Sequence, residues 1–347
     1  MSTGSPPPLT IGEPAPWFTA PMLGQARGAD FDKAGGRHVL VLFFGSAANP
    51  ASGAALRLME TNAALLNGGR AAFLGVTIDQ RDAADDGLAA LQRSGIHIFV
   101  DADRQVSTLY GAIDTQGVTF NPYWLLLDPM LRVAGIFPVR FGEEAIAALR
   151  RQLDPQPAGG HAPALVLENI LDPDFADALI DLHARDGGAE SGVMRQFGDK
   201  TIEVHQHDVK RRRDYFIQDT AVQAQLRDAV MLRLVPMIER CFQYRPTEIE
   251  RYIVSCYDSA DGAHFAPHRD NTTPLTAHRR FAVTINLNDD YEGGDLSFPE
   301  FGTRRYRAPR GGAIVFSCSL LHEVSRMTAG RRYATLPFLY GGAPRAG

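Results

Sequence analysis

The stretch "DPQPAGGHAPA" (154–164) has no apolar periodicity and is rich in Pro, Gly and Ala, so it reads as a linker rather than as part of a helix or strand. A chain divided there folds around two cores. Its 347 residues fit that division at roughly 150 residues per domain. We therefore expect one domain over 1–155, a linker over 156–164 and a second domain over 165–347, with no internal repeat crossing the boundary.

The first half alternates strands and helices. "HVLVLFF" (38–44) is a continuous apolar run, the pattern of a strand buried on both faces. Further strands are expected at 71–79, 97–103, 123–129 and 132–139, the last two as a hairpin. Helical patterns lie at 55–66, 87–95 and 142–153. The expectation is an α/β domain with a mixed sheet.

This order, together with "GEPAPWF" near the start and "FNPYWLLLDP", resembles the thioredoxin/peroxiredoxin family across residues 9–153. The family places a proline, usually cis, before its third strand, and Pro122 matches it. The resemblance implies a peroxidatic cysteine just after the first long strand. Here that region reads "FFGSAANPAS", and the three cysteines are Cys241, Cys256 and Cys318. Thiol chemistry requires a thiolate nucleophile, so this domain is expected to be catalytically inert. Ser46 and Ser52 read as ordinary loop residues with no base beside them.

The second half opens with a helix in which Asp172 can cap, Pro173 suits the first turn, and Phe175, Leu179 and Leu182 recur at helical spacing. After a helical stretch over 221–242 it becomes strand-rich with glycine turns, as an antiparallel barrel or jelly roll requires. In "FAVTINLN", Phe281, Val283, Ile285 and Leu287 alternate with Ala282, Thr284, Asn286 and Asn288. One face can pack on helices while the other lines a polar cavity.

Within that barrel, "HFAPHRDN" (264–271) concentrates ligand chemistry. In an extended segment His268 and Asp270 point to one side and can converge on a metal ion. His264 and His268 would converge only on a helix, which Pro267 disfavours. His322, in "SLLHEV", follows the strand "GAIVFSC" and can supply a third ligand; Arg332 begins the next strand. Two imidazoles and a carboxylate on one face leave coordination positions open, the arrangement of non-heme Fe(II) oxygenases. A keto acid and dioxygen can fill them, with an arginine gripping the far carboxylate.

HxD, a distal histidine and an arginine ten residues on resemble the 2-oxoglutarate/Fe(II) dioxygenases of the prolyl 4-hydroxylase type across about residues 165–341. "RFAVTINLNDDYEGGDLSFPEFG", "APRGGAIVF", "LLHEV" and "AGRRY" carry the likeness. It implies a double-stranded β-helix (jelly-roll) domain with flanking helices. It also implies His268, Asp270 and His322 as iron ligands and as the catalytic set, with Arg332 holding 2-oxoglutarate and Thr284 beside it. Fe(II), 2-oxoglutarate and O2 would be required, with ascorbate as an optional accessory. The family's tyrosine three residues before the first ligand is Phe265 here, so Tyr257 or Tyr252 would substitute for it. Arg332 stands where the family usually has lysine, and adjacent Arg331 is the alternative if the strand register differs. Asp270 keeps the carboxylate that related halogenases lose, which favours hydroxylation.

The other chemistry-bearing groups have plainer readings. His205 and His207 lack a carboxylate partner in sequence and read as a polar strand edge. "KRRRD" (210–214) reads as a solvated face that can also reach an anionic part of a substrate. Cys256 and Cys318 read as small buried hydrophobes. A net charge of −5 argues against a general nucleic-acid binder, and no apolar run is long enough to span a bilayer. The scattered cysteines and polar start point to the cytoplasm. The expected function is hydroxylation of a peptidyl, amino-acid-derived or other small-molecule substrate, with release of succinate and CO2. A homodimer is among the expected partners. The competing expectation is a non-catalytic iron/2-oxoglutarate sensor or scaffold whose redoxin-like domain docks a partner.

Overall fold

The structure, a computed structural model, describes residues 9–25, 28–66, 69–92, 95–114, 119–154, 160–197 and 200–341. It divides into two compact units, Met1–Gly159 with Pro299–Phe301, and Gly160–Phe298 with Gly302–Gly347. Of the expected linker, residues 156–159 lie outside the described residues.

The N-terminal unit is a thioredoxin-like α/β domain. Its sheet consists of β1 (His38–Gly45), β2 (Ala71–Thr77), β3 (Ile96–Val100), β4 (Tyr123–Leu127) and β5 (Val133–Pro138), in the order β3-β2-β1-β4-β5. β1, β2 and β3 run parallel, while β4 and β5 form the antiparallel hairpin. The apolar run of β1 is continuous because both of its faces are covered. Leu40, Leu42 and Phe44 join a core with α1 (Pro50–Thr61) and residues 142–153, and Val39, Val41 and Phe43 pack on the opposite side with Phe31 and Tyr110. The peptide before Pro122 is trans, unlike the usual arrangement of the family.

The segment that would carry a redox cysteine is closed by hydrogen bonds of its own. Asn49 caps α1, its side chain accepting from Ala51 N at 2.9 Å. Ser52 lies inside α1, not in a loop, and donates to Phe44 O at 2.6 Å. Ser46 donates to Asp79 Oδ2 at 2.8 Å, so the carboxylate partner that the sequence did not show does exist. Arg81, bonded to Asp79, holds that carboxyl well below the usual carboxylate range and leaves it a poor base.

The C-terminal unit is a jelly roll. Its larger sheet contains β6 (Ala164–Leu167), β7 (Arg213–Phe216), β8 (Ile253–Asp258), β10 (Phe281–Asn286), β12 (Ala313–Ser317), β14 (Arg331–Thr335) and β15 (Phe338–Tyr340). The smaller sheet places Lys210–Arg211 beside β9 (His264–His268), then β13 (His322–Val324) and β11 (Leu296–Ser297). Phe281, Val283 and Ile285 of β10 bury against Phe175, Leu179, Leu226, Leu234 and Ile238, which come from the flanking helices. Each such side chain, fully buried, contributes roughly 1.5–3 kcal/mol. The alternate residues Ala282, Thr284 and Asn286 are consequently turned to the barrel interior.

Two helical expectations need correction. The stretch 221–242 is not one α-helix: Thr220–Ala229 and Val235–Phe242 are joined by a π-turn at Val230–Leu234. Pro236 cannot donate to the helical ladder, and the wider turn before it accommodates that loss. Asp172 occupies the N-cap position of Pro173–Asp186 but makes no cap bond. Its carboxylate pairs instead with Arg233 at 3.4 Å.

Candidate metal and keto-acid site

Strand pairing brings the three candidate ligands together. His268 at the end of β9 and His322 at the start of β13 are antiparallel register partners, so their side chains start close together on one face. Asp270, two residues beyond His268, is fixed by its backbone N–H donating to Cys318 O at 3.0 Å. His268 Nε2 lies 3.6 Å from Asp270 Oδ1, and His322 Nε2 lies 3.3 Å from Asp270 Oδ2. One ligand atom from each residue falls within 4.8 Å of the others.

The second ring nitrogens are already engaged. His268 Nδ1 faces Ala266 O at 2.8 Å and His322 Nδ1 faces Leu320 O at 3.0 Å. A proton held at Nδ1 by a carbonyl leaves the Nε2 lone pair free to coordinate. Burial pushes the His322 imidazole down to about 4, with His268 adding to that effect, so it is neutral at pH 7. Burial acts to raise the Asp270 carboxyl, but His322, His268 and Arg251 outweigh it and hold it well below the usual carboxylate range. Two imidazole nitrogens and one carboxylate oxygen fit a divalent cation of the iron type. His264 is not part of this set. Its two ring nitrogens face Gly262 O and Asp208 O at 3.0 and 3.1 Å.

The neighbouring arginines point in opposite directions. Arg331 is exposed and paired with Asp258 at 2.6 Å, whereas Arg332 is 3% exposed and turned into the barrel. Arg332 Nη2 donates to Thr284 Oγ1 at 2.6 Å and to Asn286 Oδ1 at 2.9 Å, both on the inward face of β10. Among the described residues no carboxylate lies within ion-pairing distance of it. The turn at Gly293–Gly294 makes room for this side chain. Gly294 has a φ of +65°, and a Cβ there would meet Arg332 Cδ at 3.2 Å and Met327 Sδ at 2.5 Å.

Tyr257 is the register partner of Arg332 across β8 and β14 and is 1% exposed. The Arg332 guanidinium carbon lies 5.4 Å from its ring. Tyr252, the other candidate, packs on the helix-side core. Phe265 stacks on the His268 ring with centroids 3.4 Å apart.

The run 210–214 is not a solvated face. Lys210, Arg212 and Asp214 are buried, and Arg211 and Arg213 are exposed. Arg212 Nη2 pairs with Asp214 Oδ2 at 2.6 Å, and Ser255 Oγ donates to the other Asp214 oxygen at 2.6 Å. Lys210 Nζ donates to Ser191 Oγ and Gly192 O, both at 2.7 Å, and burial pushes its ammonium well below the ordinary lysine value. The alternation was visible in "KRRRD", since residues two apart share a strand face. His205 and His207 lie in a loop rather than a strand, and they have a carboxylate partner after all, Glu190.

Comparison with known proteins finds a likeness over part of the chain. Residues 252–340 match the family model described as the 2OG-Fe(II) oxygenase superfamily. A PKHD-type hydroxylase of Synechococcus sp. (strain JA-2-3B'a(2-13)) is 30% identical over 102 residues, which are 27% of this chain and 45% of the relative. Another, from Hyphomonas neptunium, is 25% identical over 180 residues, 49% of this chain and 74% of the relative. The chain thus spans less than half the length of the first of these relatives. Among solved structures, a Pseudomonas putida prolyl-4-hydroxylase aligns with 52% of this chain and 94% of its own at 17% identity and a TM-score of 0.37. Mycobacterium tuberculosis AhpC aligns with 44% of this chain and 98% of its own at 20% identity and a TM-score of 0.35.

Proposed function

We propose that this chain, which carries a 2OG-Fe(II) oxygenase domain in its C-terminal unit, is an Fe(II)- and 2-oxoglutarate-dependent hydroxylase. The observation that carries the reading is one juxtaposition. His268, Asp270 and His322 converge on one point, and the barrel that holds them also buries an arginine with no carboxylate partner among the described residues. In this reading His268 Nε2, His322 Nε2 and an Asp270 oxygen hold the iron. Arg332, steadied by Thr284 and Asn286, receives the distal carboxylate of 2-oxoglutarate, with Tyr257 at its side. The bound iron supplies dioxygen activation coupled to conversion of 2-oxoglutarate to succinate and CO2. The residues of this chain orient the keto acid, keep the His322 imidazole neutral and hold Asp270 ionised.

The substrate is a peptidyl, amino-acid-derived or other small molecule. The relatives named as PKHD-type hydroxylases support a hydroxylase, and ascorbate would serve as an accessory reductant. We place the redoxin-like domain at 1–155 and the oxygenase domain at 165–347, and assign the first a structural or substrate-positioning role without thiol chemistry. The test is a screen of metabolite and peptide pools with Fe(II) and 2-oxoglutarate. A substrate that gains one oxygen atom, with matching succinate, supports the reading. Binding of iron and 2-oxoglutarate without turnover on any pool supports the sensor instead.

A further inference from the structure

We infer that Arg212 is a positioning residue for co-substrate binding: it orients the Tyr257 hydroxyl so that this group donates its proton to the same carboxylate that Arg332 receives. The inference rests on the function proposed above.

The argument begins from the direction of one hydrogen bond. Arg212 Nη1 lies 3.2 Å from Tyr257 Oη, and a guanidinium has no lone pair, so the tyrosine oxygen must accept. Its own proton must then go elsewhere. Tyr257 is 1% exposed, and among the described residues no acceptor takes that proton. A buried donor left unmet is destabilising, so such a group implies an acceptor that arrives from outside the chain. Arg332, on the neighbouring strand, is a buried charge whose hydrogen bonds among the described residues go to neutral oxygens alone. Arg212 and Arg332 lie 5.6 and 5.4 Å from the Tyr257 ring. A carboxylate has two acceptor oxygens and can satisfy the hydroxyl and the guanidinium together.

Arg212 is itself held rigidly. Asp214 binds its Nη2 at 2.6 Å and is braced by Ser255, and both partners of the pair are almost wholly buried. An ion pair this deep is weak evidence for stability, which directs attention to what it positions. The chain also has a specific need for this arrangement. Phe265, whose ring stacks on His268, offers no hydroxyl of its own.

The test measures 2-oxoglutarate binding to the full chain loaded with Mn(II), a redox-silent stand-in for iron, by titration calorimetry. Tyr257→Phe should weaken binding about tenfold. The double variant Arg212→Met with Asp214→Leu removes the pair without stranding a buried charge, and should also weaken binding about tenfold. Combining all three substitutions should cost no more than Tyr257→Phe alone, because Arg212 acts through that hydroxyl. 2-Oxobutyrate, which lacks the distal carboxylate, should bind all of these proteins equally, and Mn(II) affinity should not change. Should the double variant fail to fold, Arg212→Lys keeps the charge beside Asp214 but not the fork, and the same non-additivity with Tyr257→Phe is expected. Wild-type affinity in the pair variants, or losses that simply multiply, overturns the inference while leaving the proposed function standing. Absence of 2-oxoglutarate binding to the Mn(II)-loaded wild type overturns both.

Discussion

Both units bury carboxylates, and they satisfy them in opposite ways. In the N-terminal unit Asp82 accepts from Ala47 N at 3.1 Å and from the Thr77 hydroxyl, and Asp101 accepts from Val106 N at 3.1 Å and Ser107 N at 2.6 Å. These acids are matched by neutral donors of the fold itself, and Asp82 meets one of them at Ala47, in the segment where a redox enzyme would hold a thiolate. In the C-terminal unit Asp270 faces two imidazoles, whose Nε2 atoms converge with its oxygens on one point, 3.6 and 3.3 Å away. Arg332 rests on a hydroxyl and an amide, and among the described residues the Tyr257 proton has no acceptor. A polar cluster that satisfies itself is structure; one that leaves lone pairs, a charge and a proton unmatched is arranged for a ligand.

The sharpest break in that comparison is at Asp270. Replacing it by Ala should lower divalent-metal affinity by at least about 100-fold, since two nitrogens alone hold iron poorly. Equilibrium dialysis checks this, and wild-type metal retention would remove Asp270 from the site.

The pH dependence of the metal-free protein should be nearly as large. Folding lowers His322 to about 4 from an ordinary value of ~6.5, so the unfolded chain binds the extra proton first as pH falls. The stability is present above pH ~6.5 and declines toward pH 4, by up to roughly 3 kcal/mol. Urea unfolding at pH 7 and pH 4.5 reads it. His322→Gln should flatten the slope, and an unchanged slope would place the loss elsewhere.

Next in size is the contrast between adjacent arginines. Arg332→Ala should raise the 2-oxoglutarate KM about tenfold or more, while Arg331→Ala, on the exposed side, should change it less than about twofold. Reversed effects would mean that the functional register is shifted by one residue.

The smallest effects concern thiols. Cys241 is exposed, whereas Cys256 and Cys318 are buried, and burial pushes the Cys256 thiol up to about 11. Native protein should therefore show one fast alkylation by iodoacetamide and no peroxide reduction with thiol reductants. Rapid labelling of three thiols, or peroxidase turnover, would erase the distinction between the units.

Much of this was legible in the residues. The doubly buried β1 run, the two-residue period of His268 and Asp270, and the inward phase of Thr284 and Asn286 all follow from strand geometry. The phase of Arg332 over Arg331 needed the pairing with Tyr257 and Asp258, because alternation says that two neighbours differ but not which one faces in. The KRRRD run misled for a related reason. Its charges suggest solvent until one sees that Asp214, braced by Ser255, meets Arg212 inside the barrel. Contacts such as Glu190 with His207, or Asp172 with Arg233, join residues far apart in the chain and leave no local signal.

The most direct test of the central claim is anaerobic titration of the full chain with Fe(II) and then 2-oxoglutarate, followed by calorimetry. The account predicts one iron per chain and one 2-oxoglutarate that binds when metal is present, with both lost in Asp270→Ala. Iron binding that survives Asp270→Ala, or 2-oxoglutarate binding indifferent to the metal, would contradict it.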